Sequence, residues 1–420
     1  MDFTFTEEQQ AAAEAARAVF AGVAPDGVPS PSLVPGAVAD DFDRALWAKL
    51  ADADLLSLLL DPAYGGSGLD PIALCLVLRE SAKALARGPL LESSAASVAV
   101  QAHGSEELKA ELLARVGRGE VVLTVAAHGR TGHDPAELAV TARRDEGGVW
   151  VLDGMQTAVP WAHNAEFILV PATVAPESVT PDVSAERAGG SVGSGGAEGI
   201  GGTGGAIAAE QDAVAAADGR AVLALVPRLH EGVTLAEQIS TTGERLAELR
   251  LDTARVAGRN VLDAEGAWER LRDLLTTGTC ALALGLGDRV LAMTSEYAGK
   301  REQFGFPIAS FQAVAVQAAD RFIDLRAMEA TLWQAAWRIT SGAGGALPAS
   351  GDVAVAKIWA SEGVRRVVQT AQHLHGGFGA DVDYPLHRYH AWAKHLELSL
   401  GPAAAHEEAL GDLLAAHPLG

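Results

Sequence analysis

Between residues 297 and 312 the chain reads Tyr-Ala-Gly-Lys-Arg-Glu-Gln-Phe-Gly-Phe-Pro-Ile-Ala-Ser-Phe-Gln. A guanidinium (Arg301), two amides (Gln303 and Gln312) and three phenyl rings (Phe304, Phe306, Phe311) fall within this one stretch. Such a set suits an anionic ligand carrying a flat ring system, because guanidinium pairs bidentately with phosphate or carboxylate and phenyl faces pack on rings. A second reading stands beside it: Arg301 pairs with a helix C-terminal dipole, and Phe304 and Phe311 belong to a core. Further on, Gln372-His373-Leu374-His375-Gly376-Gly377-Phe378-Gly379 closes a helical run containing Arg365 and Arg366. One glycine suffices to end a helix. Three in four residues exceed that need and let a backbone approach a nucleotide without a Cβ clash.

Composition removes several alternatives. With 32 Lys plus Arg against 54 Asp plus Glu, a formal charge of −22, the chain repels nucleic-acid phosphates and anionic lipid, so neither nucleic acid nor a membrane is an expected partner. Its start, Met-Asp-Phe-Thr-Phe-Thr-Glu-Glu, lacks the basic and apolar regions of a signal peptide. The longest nearly apolar stretch, Leu274 to Gly287, is too short to span a bilayer, and a cytoplasmic location is expected. Cys75 and Cys280 each sit in an apolar helical run and read as packing residues. No metal-ligand cluster is visible in the sequence.

The elements that must position these groups follow from periodicity. Residues 1–120 read as a helical domain: Thr6 caps a helix with Gln9 completing a capping box, and Ala45–Leu60 and Ile72–Leu85 continue the helical pattern. Between those two, Asp61-Pro62-Ala63-Tyr64-Gly65-Gly66-Ser67-Gly68 predicts an ordered loop. Residues 121–260 read as a β domain, with strands near 121–125, 138–142, 149–152, 167–170, 221–226, 232–235 and 246–256. A Gly-rich stretch at about 172–219 has no pattern and predicts a flexible insertion. Residues 261–420 return to helix, at 268–300, 310–341, 352–374 and 386–414 in one or more pieces, which predicts a C-terminal four-helix bundle. The class is α+β: N-terminal helical domain, central β-sheet domain, C-terminal bundle.

In this order the pieces resemble the acyl-CoA dehydrogenase family. The resemblance covers nearly the whole chain apart from the insertion, through the 61–69 loop, the central sheet, the Tyr-Ala-x-x-Arg-x-Gln-Phe-Gly-x-Pro-Ile-x-x-Phe-Gln motif at 297–312, and His375-Gly376-Gly377-Phe378-Gly379 with Tyr384-Pro385 after it. It implies a flavoprotein of lipid metabolism, homotetrameric or heterotetrameric, that holds FAD between sheet and bundle and oxidises an acyl-CoA thioester at its α,β carbons. An electron-transfer flavoprotein would be the electron acceptor. By motif position, Arg301 would contact the FAD diphosphate, Gln303 and Phe304 the nucleotide, and Gln312 the adenosine end. His373, Gly376 and Gly377 would line the cofactor from a companion chain, and Leu123 and Thr124 would face the flavin. Trp161 lies near but offset from the flavin-facing segment Ala158-Val159-Pro160. Arg365, Arg366, Arg388 and Lys394 are candidates to hold the CoA phosphates.

The resemblance also defines what is missing. The family's glutamate base lies sixteen residues after the Tyr of the Tyr-Pro pair, which here is Leu400, or twenty-six before the motif arginine, which here is Leu275. Leucine accepts no proton. Asp273, Glu397 and Glu269 are the nearest carboxylates and so the candidates for a displaced base. Three readings follow: a dehydrogenase with a displaced base, a catalytically silent subunit sharing FAD with a base-bearing chain, as in the heteromeric steroid-side-chain enzymes of actinobacteria, or a flavin oxidase or monooxygenase relative.

Overall fold

In the computed structural model the described residues are 4–25, 27–39, 42–132, 137–175 and 220–417. Helix α1 (Glu7–Phe20) begins where its capping box predicts: the Gln9 N–H donates to Thr6 Oγ1 at 3.2 Å, and the Thr6 N–H returns to Gln9 Oε1 at 2.9 Å. Four helices follow: α2 (Arg44–Asp52), α3 (Pro71–Lys83), α4 (Leu90–His103) and α5 (Glu106–Gly117). Asp43 caps α2, and Asp70 with Pro71 starts α3. The helix expected over Ala45–Leu60 stops early. Asp54 turns left-handed at φ 56°, and the buried leucines 55, 56 and 58–60 continue as irregular backbone. The 61–69 loop satisfies that backbone: Leu69 N–H donates to Leu58 O at 3.0 Å, and Gly68 N–H to Leu60 O at 2.8 Å. The glycine-rich loop is therefore ordered because it serves as hydrogen-bond partner to a buried apolar run.

Strands β1 (Leu123–Val125), β2 (Val140–Arg144), β3 (Trp150–Pro160), β4 (Phe167–Val174), β5 (Ala221–Pro227), β6 (Val233–Ile239), β7 (Arg245–Val256) and β8 (Val261–Leu262) form one sheet in the order β6-β7-β3-β2-β4-β5-β8. β1 pairs with β4, and β1–β4 and β2–β4 are its parallel pairs. Strand β4 runs four residues beyond the expected Val170, and Thr173 pairs with Ala221 of β5. The predicted insertion therefore joins two adjacent antiparallel strands. Its residues 176–219 lie outside the described residues.

The remaining helices are α6 (Ala267–Lys300), α7 (Gln312–Ser341), α8 (Ala349–His375), α9 (Leu386–Leu398) and α10 (Ala403–Ala416). The last predicted segment divides at Ser399–Pro402. Two short strands, β9 (Glu302–Gln303) and β10 (Phe306–Pro307), form the hairpin between α6 and α7. The 34-residue α6 is the one described helix long and apolar enough to cross a membrane, and 78% of its apolar window is buried inside the fold. It packs against α3, α7, α8 and α9. Contact with α3 is closest at Gly285, where an added Cβ would stand 2.0 Å from the Arg79 carbonyl oxygen. The same arginine ties the helices by ion pairs to Asp288 on α6, at 2.7 Å, and Glu329 on α7, at 2.8 Å.

Gly285→Ala must push α3 off α6 against backbone that has no rotamer to yield. Overpacking of this kind costs about 2 kcal/mol, so the urea-unfolding midpoint should fall, whereas Gly299→Ala, with nothing within 4 Å of the added carbon, should leave it unchanged.

Candidate functional site

Where the N-terminal helices, the sheet and the C-terminal helices meet, an internal crevice of about 100 Å³ opens. Leu46 and Trp47 of α2, Leu91 and Glu92 of α4, Val125 of β1, Ala158 and Pro160 of β3, Leu275 of α6 and Trp392, His395 and Leu396 of α9 all line it, with Trp161 and Leu400. Three of the seven described non-glycine residues with positive φ lie on this wall: Ala158 at 51°, Trp161 at 56° and Leu400 at 56°. Left-handed backbone at such residues costs on the order of 1–2 kcal/mol each and persists only where surrounding packing dictates it. For Trp161 that packing is an edge-on contact with Phe42, centroids 6.0 Å apart. For Leu400 it is a ring of hydrogen bonds. His406 Nε2–H donates to the Leu400 carbonyl at 2.8 Å, and the buried Lys357 ammonium donates to the carbonyls of Leu396 (3.2 Å) and Glu397 (3.0 Å) and to Ser361 Oγ (2.7 Å). The turn at the end of α9 is thus held so that a leucine faces the crevice.

Burial governs the charge state of this wall. It pushes His128, His395 and His406 down to about 4, aided for His395 by Arg87, and pushes Lys357 down to about 8. It raises the Glu92 carboxyl to about 7, against a weaker opposing pull from the residue's own backbone N–H. The sequence reading missed Glu92. On sequence it is a first-turn charge at a helix N-terminus, and its one signal is being a lone carboxylate among Leu90, Leu91, Ser93 and Ser94, all buried.

Leu275 and Leu400, the two positions where the family resemblance places a base, do converge on the crevice. The three proposed substitutes do not line it. Asp273 lies two residues before Leu275, about 200° round α6 and so on its other side, with its carboxyl raised to about 6 by burial, and its carbonyl accepts from Thr277 Oγ1. Glu397 pairs with Lys394 at 2.8 Å, and Glu269 is exposed in the first turn of α6. Leu123 and Thr124 are fully buried behind the wall; the Thr124 hydroxyl donates to the Pro160 carbonyl at 2.6 Å, while the next residue, Val125, is the one that lines the crevice. Trp161, offset on sequence, is on the wall. Three of the basic candidates already have carboxylate partners: Arg365 with Glu362, Arg366 with Asp324 (2.8 Å), and Lys394 with Glu397. Arg388 donates to the Val382 carbonyl. Cys75 and Cys280 are buried free thiols, Cys280 pushed up to about 12 by burial.

The motif residues form a second surface at the far end of α6. Arg301, Gln303, Phe304 and Gln312 are exposed, Phe304 at 90% with φ 55°. The dipole alternative for Arg301 gains no ion pair among the described residues, and Phe304 is no core residue. Beside this hairpin, in the same chain, lies the His-Gly-Gly turn: Tyr297 stacks on His375, centroids 4.2 Å apart, and on Phe378 at 5.6 Å. Arg301, Lys300, Arg289, Glu296, Tyr297, Phe378 and Tyr384 border one cleft. His375 is the buried keystone, donating from Nδ1 to Ala371 O at 2.8 Å and accepting the Tyr384 hydroxyl at Nε2 (3.1 Å). His373, Gly376 and Gly377 are exposed, and a Cβ at either glycine would meet nothing within 4 Å. Unpaired guanidinium, flat ring faces and open glycine backbone together fit a nucleotide diphosphate.

A helical–sheet–helical chain with an internal crevice at its triple junction and a cationic, ring-lined hairpin defines a flavoenzyme-like class. The family comparisons agree. Residues 6–120 match the acyl-CoA dehydrogenase N-terminal domain and 246–414 the acyl-CoA dehydrogenase C-terminal domain. Acyl-CoA dehydrogenase FadE27 of Mycobacterium tuberculosis is 34% identical over 384 residues, 90% of each chain. Among solved structures, the ChsE4-ChsE5 complex from Mycobacterium tuberculosis superposes with TM-score 0.80 at 32% identity, covering 100% of both chains. The Tcur3481-Tcur3483 steroid ACAD G363A variant does so with TM-score 0.79 at 33% identity over 98% of each. The chain belongs to the acyl-CoA dehydrogenase family, oxidoreductases acting on CH–CH groups.

The buried neutral rings predict an acid limb. Their folded-state values lie below the 6.5 of the free side chain, so the unfolded chain binds more protons between about 6.5 and about 4. Stability is full above that window and falls as pH drops through it, on the order of 2 kcal/mol per ring. Glu92 runs the opposite way, losing stability as pH rises from 4.5 to about 7. Urea midpoints measured between about pH 4 and pH 7 in a Glu92→Gln, Asp273→Asn background should show the acid limb alone; a flat profile would contradict the buried-histidine assignment.

Proposed function

We propose that this chain is the catalytically silent, FAD-sharing subunit of a heteromeric acyl-CoA dehydrogenase, and that a base-bearing partner chain completes the reaction. The carrying observation is that Leu275 and Leu400 both line the crevice while every sequence-nominated carboxylate lies off it. Removing a weakly acidic α-proton needs a positioned acceptor. Neither leucine supplies one.

Cofactor fit supports the same division. Bound FAD supplies the hydride acceptor. The Arg301 surface fits its nucleotide half, with Arg301 on the diphosphate, Tyr297 and Phe378 offering ring faces, and the exposed Gly376 and Gly377 leaving room for close approach. The crevice does not fit its ring: about 100 Å³ is below the roughly 150 Å³ that admits benzene, and an isoalloxazine is three fused rings. Leu275 and Lys300 are also twenty-five residues apart on one helix, roughly 38 Å at 1.5 Å per residue, far beyond the reach of one dinucleotide. A cofactor held at Arg301 therefore seats its flavin in another chain's crevice.

Relatives point to the assembly and substrate. Two similar solved structures are two-component complexes, one of them described as a steroid ACAD. We take the substrate to be an acyl-CoA thioester with a steroid-type acyl group bound in the partner, electrons passing to an electron-transfer flavoprotein. The three-part division near residues 120 and 260 and a cytoplasmic location complete this reading.

The purified chain alone should show no flavin bleaching with acyl-CoA thioesters under anaerobic conditions, and bleaching should appear on addition of a base-bearing partner. Bleaching by the isolated chain would overturn the assignment. Arg301→Gln in the complex should weaken FAD retention about tenfold or more, the usual loss for a charged hydrogen bond, with an unchanged unfolding midpoint because the side chain is exposed.

A further inference from the structure

If the crevice does not seat the flavin ring, its remaining chemistry asks for another occupant. Its titratable lining groups are Asp43, Arg87, Glu92, His128, Glu244 and His395. Asp43 accepts the Leu46 N–H at 2.9 Å as the cap of α2, Arg87 donates to the Thr242 carbonyl, and Glu244 is buried and partnered. His128 and His395 are held neutral by burial. Glu92 differs. Among the described residues its carboxyl has no partner beyond its own backbone N–H, and it faces a cavity whose other walls include Leu91, Leu275, Leu400 and Trp161. A half-buried carboxyl on a mostly apolar wall is poorly solvated, and a ligand that hydrogen-bonds it recovers part of that cost.

We propose that Glu92 is the recognition group of this crevice, hydrogen-bonding an uncharged oxygen, hydroxyl or carbonyl, on a compact apolar ligand or ligand substituent. The proposal rests on the functional reading only in taking the crevice as free of the flavin ring. Protonated, the carboxyl both donates and accepts, so it reads a ketone as well as an alcohol. Ionised, it only accepts, so it reads the alcohol and rejects the ketone. The volume limits the occupant to something smaller than benzene. A few polar groups, Glu92 among them, on a mostly apolar wall are the usual form of a small-molecule site.

Three probes of matched shape and three carbons each separate these properties: 2-propanol, acetone and 2-chloropropane. Binding to the full chain is followed by saturation-transfer NMR at about pH 5.5 and about pH 8.5, either side of the carboxyl's value near 7. At the lower pH both oxygenated probes should bind about fivefold tighter than the chloride, the worth of one neutral hydrogen bond. At the higher pH the ketone should lose that advantage and the alcohol keep it. Glu92→Leu should reverse the ranking in favour of the chloride at both pH values. Glu92→Gln, which donates and accepts at any pH, should favour both oxygenated probes throughout. An identical ranking in wild type and Glu92→Leu, a ranking that ignores pH, or no saturable binding of any probe would overturn the proposal. The outcome is separable from the FAD assignment: a chain that never binds flavin yet ranks the probes as stated loses the cofactor reading and keeps this one.

Discussion

The fold depends on one helix that is surrounded by protein. α6 carries small residues where other helices must come close, and at Gly285 the backbone of α3 occupies the space a side chain would need. The Arg79 pairs to Asp288 and Glu329 lock that contact from the polar side. Because α6 is rigid and long, it fixes two surfaces relative to each other: Leu275 near its start faces the crevice, and Arg301 just past its end opens onto solvent. A rigid helix keeps those ends roughly 38 Å apart, so one dinucleotide cannot occupy both surfaces.

This geometry turns two unremarkable substitutions into a functional statement. A single leucine at one base position would be compatible with a base at the other. Leucine at both, on one wall, leaves neither of the family's base positions with a proton acceptor. The strained turn that presents Leu400, held by His406 and the buried Lys357, indicates that the wall is built rather than decayed. A crevice that has lost catalysis by neglect would have no reason to keep a left-handed leucine and a desolvated ammonium behind it. The reading of a subunit that lends its nucleotide-gripping hairpin to a partner accounts for both ends of α6 at once.

Much of this was legible from residue spacing. The Thr6 capping box, the long helical periodicities and the turn-rich 61–69 loop depend on local preferences, and each appears where expected. The Tyr297–Gln312 motif also declared itself, since exposed cations and rings in a hairpin have no core role to explain them. What could not be read was whatever depends on tertiary enclosure. The run Leu55–Leu60 has helical composition but is captured by loop backbone. Glu92, Lys357, His395 and His406 look like ordinary helix charges until burial shifts them. Asp273 and Glu397 were close to the expected base in sequence, yet helix phase turns them off the wall. The adjacency of the His-Gly-Gly turn and the Arg301 hairpin within one chain rests on Tyr297 stacking over His375, a contact between residues 78 positions apart that no local pattern encodes.

The most direct test is the structure of the native assembly with its flavin in place. The account predicts the isoalloxazine ring in the partner chain's crevice, its diphosphate on Arg301 of this chain, and no flavin between Leu275 and Leu400. An isoalloxazine seated against those two leucines would contradict it.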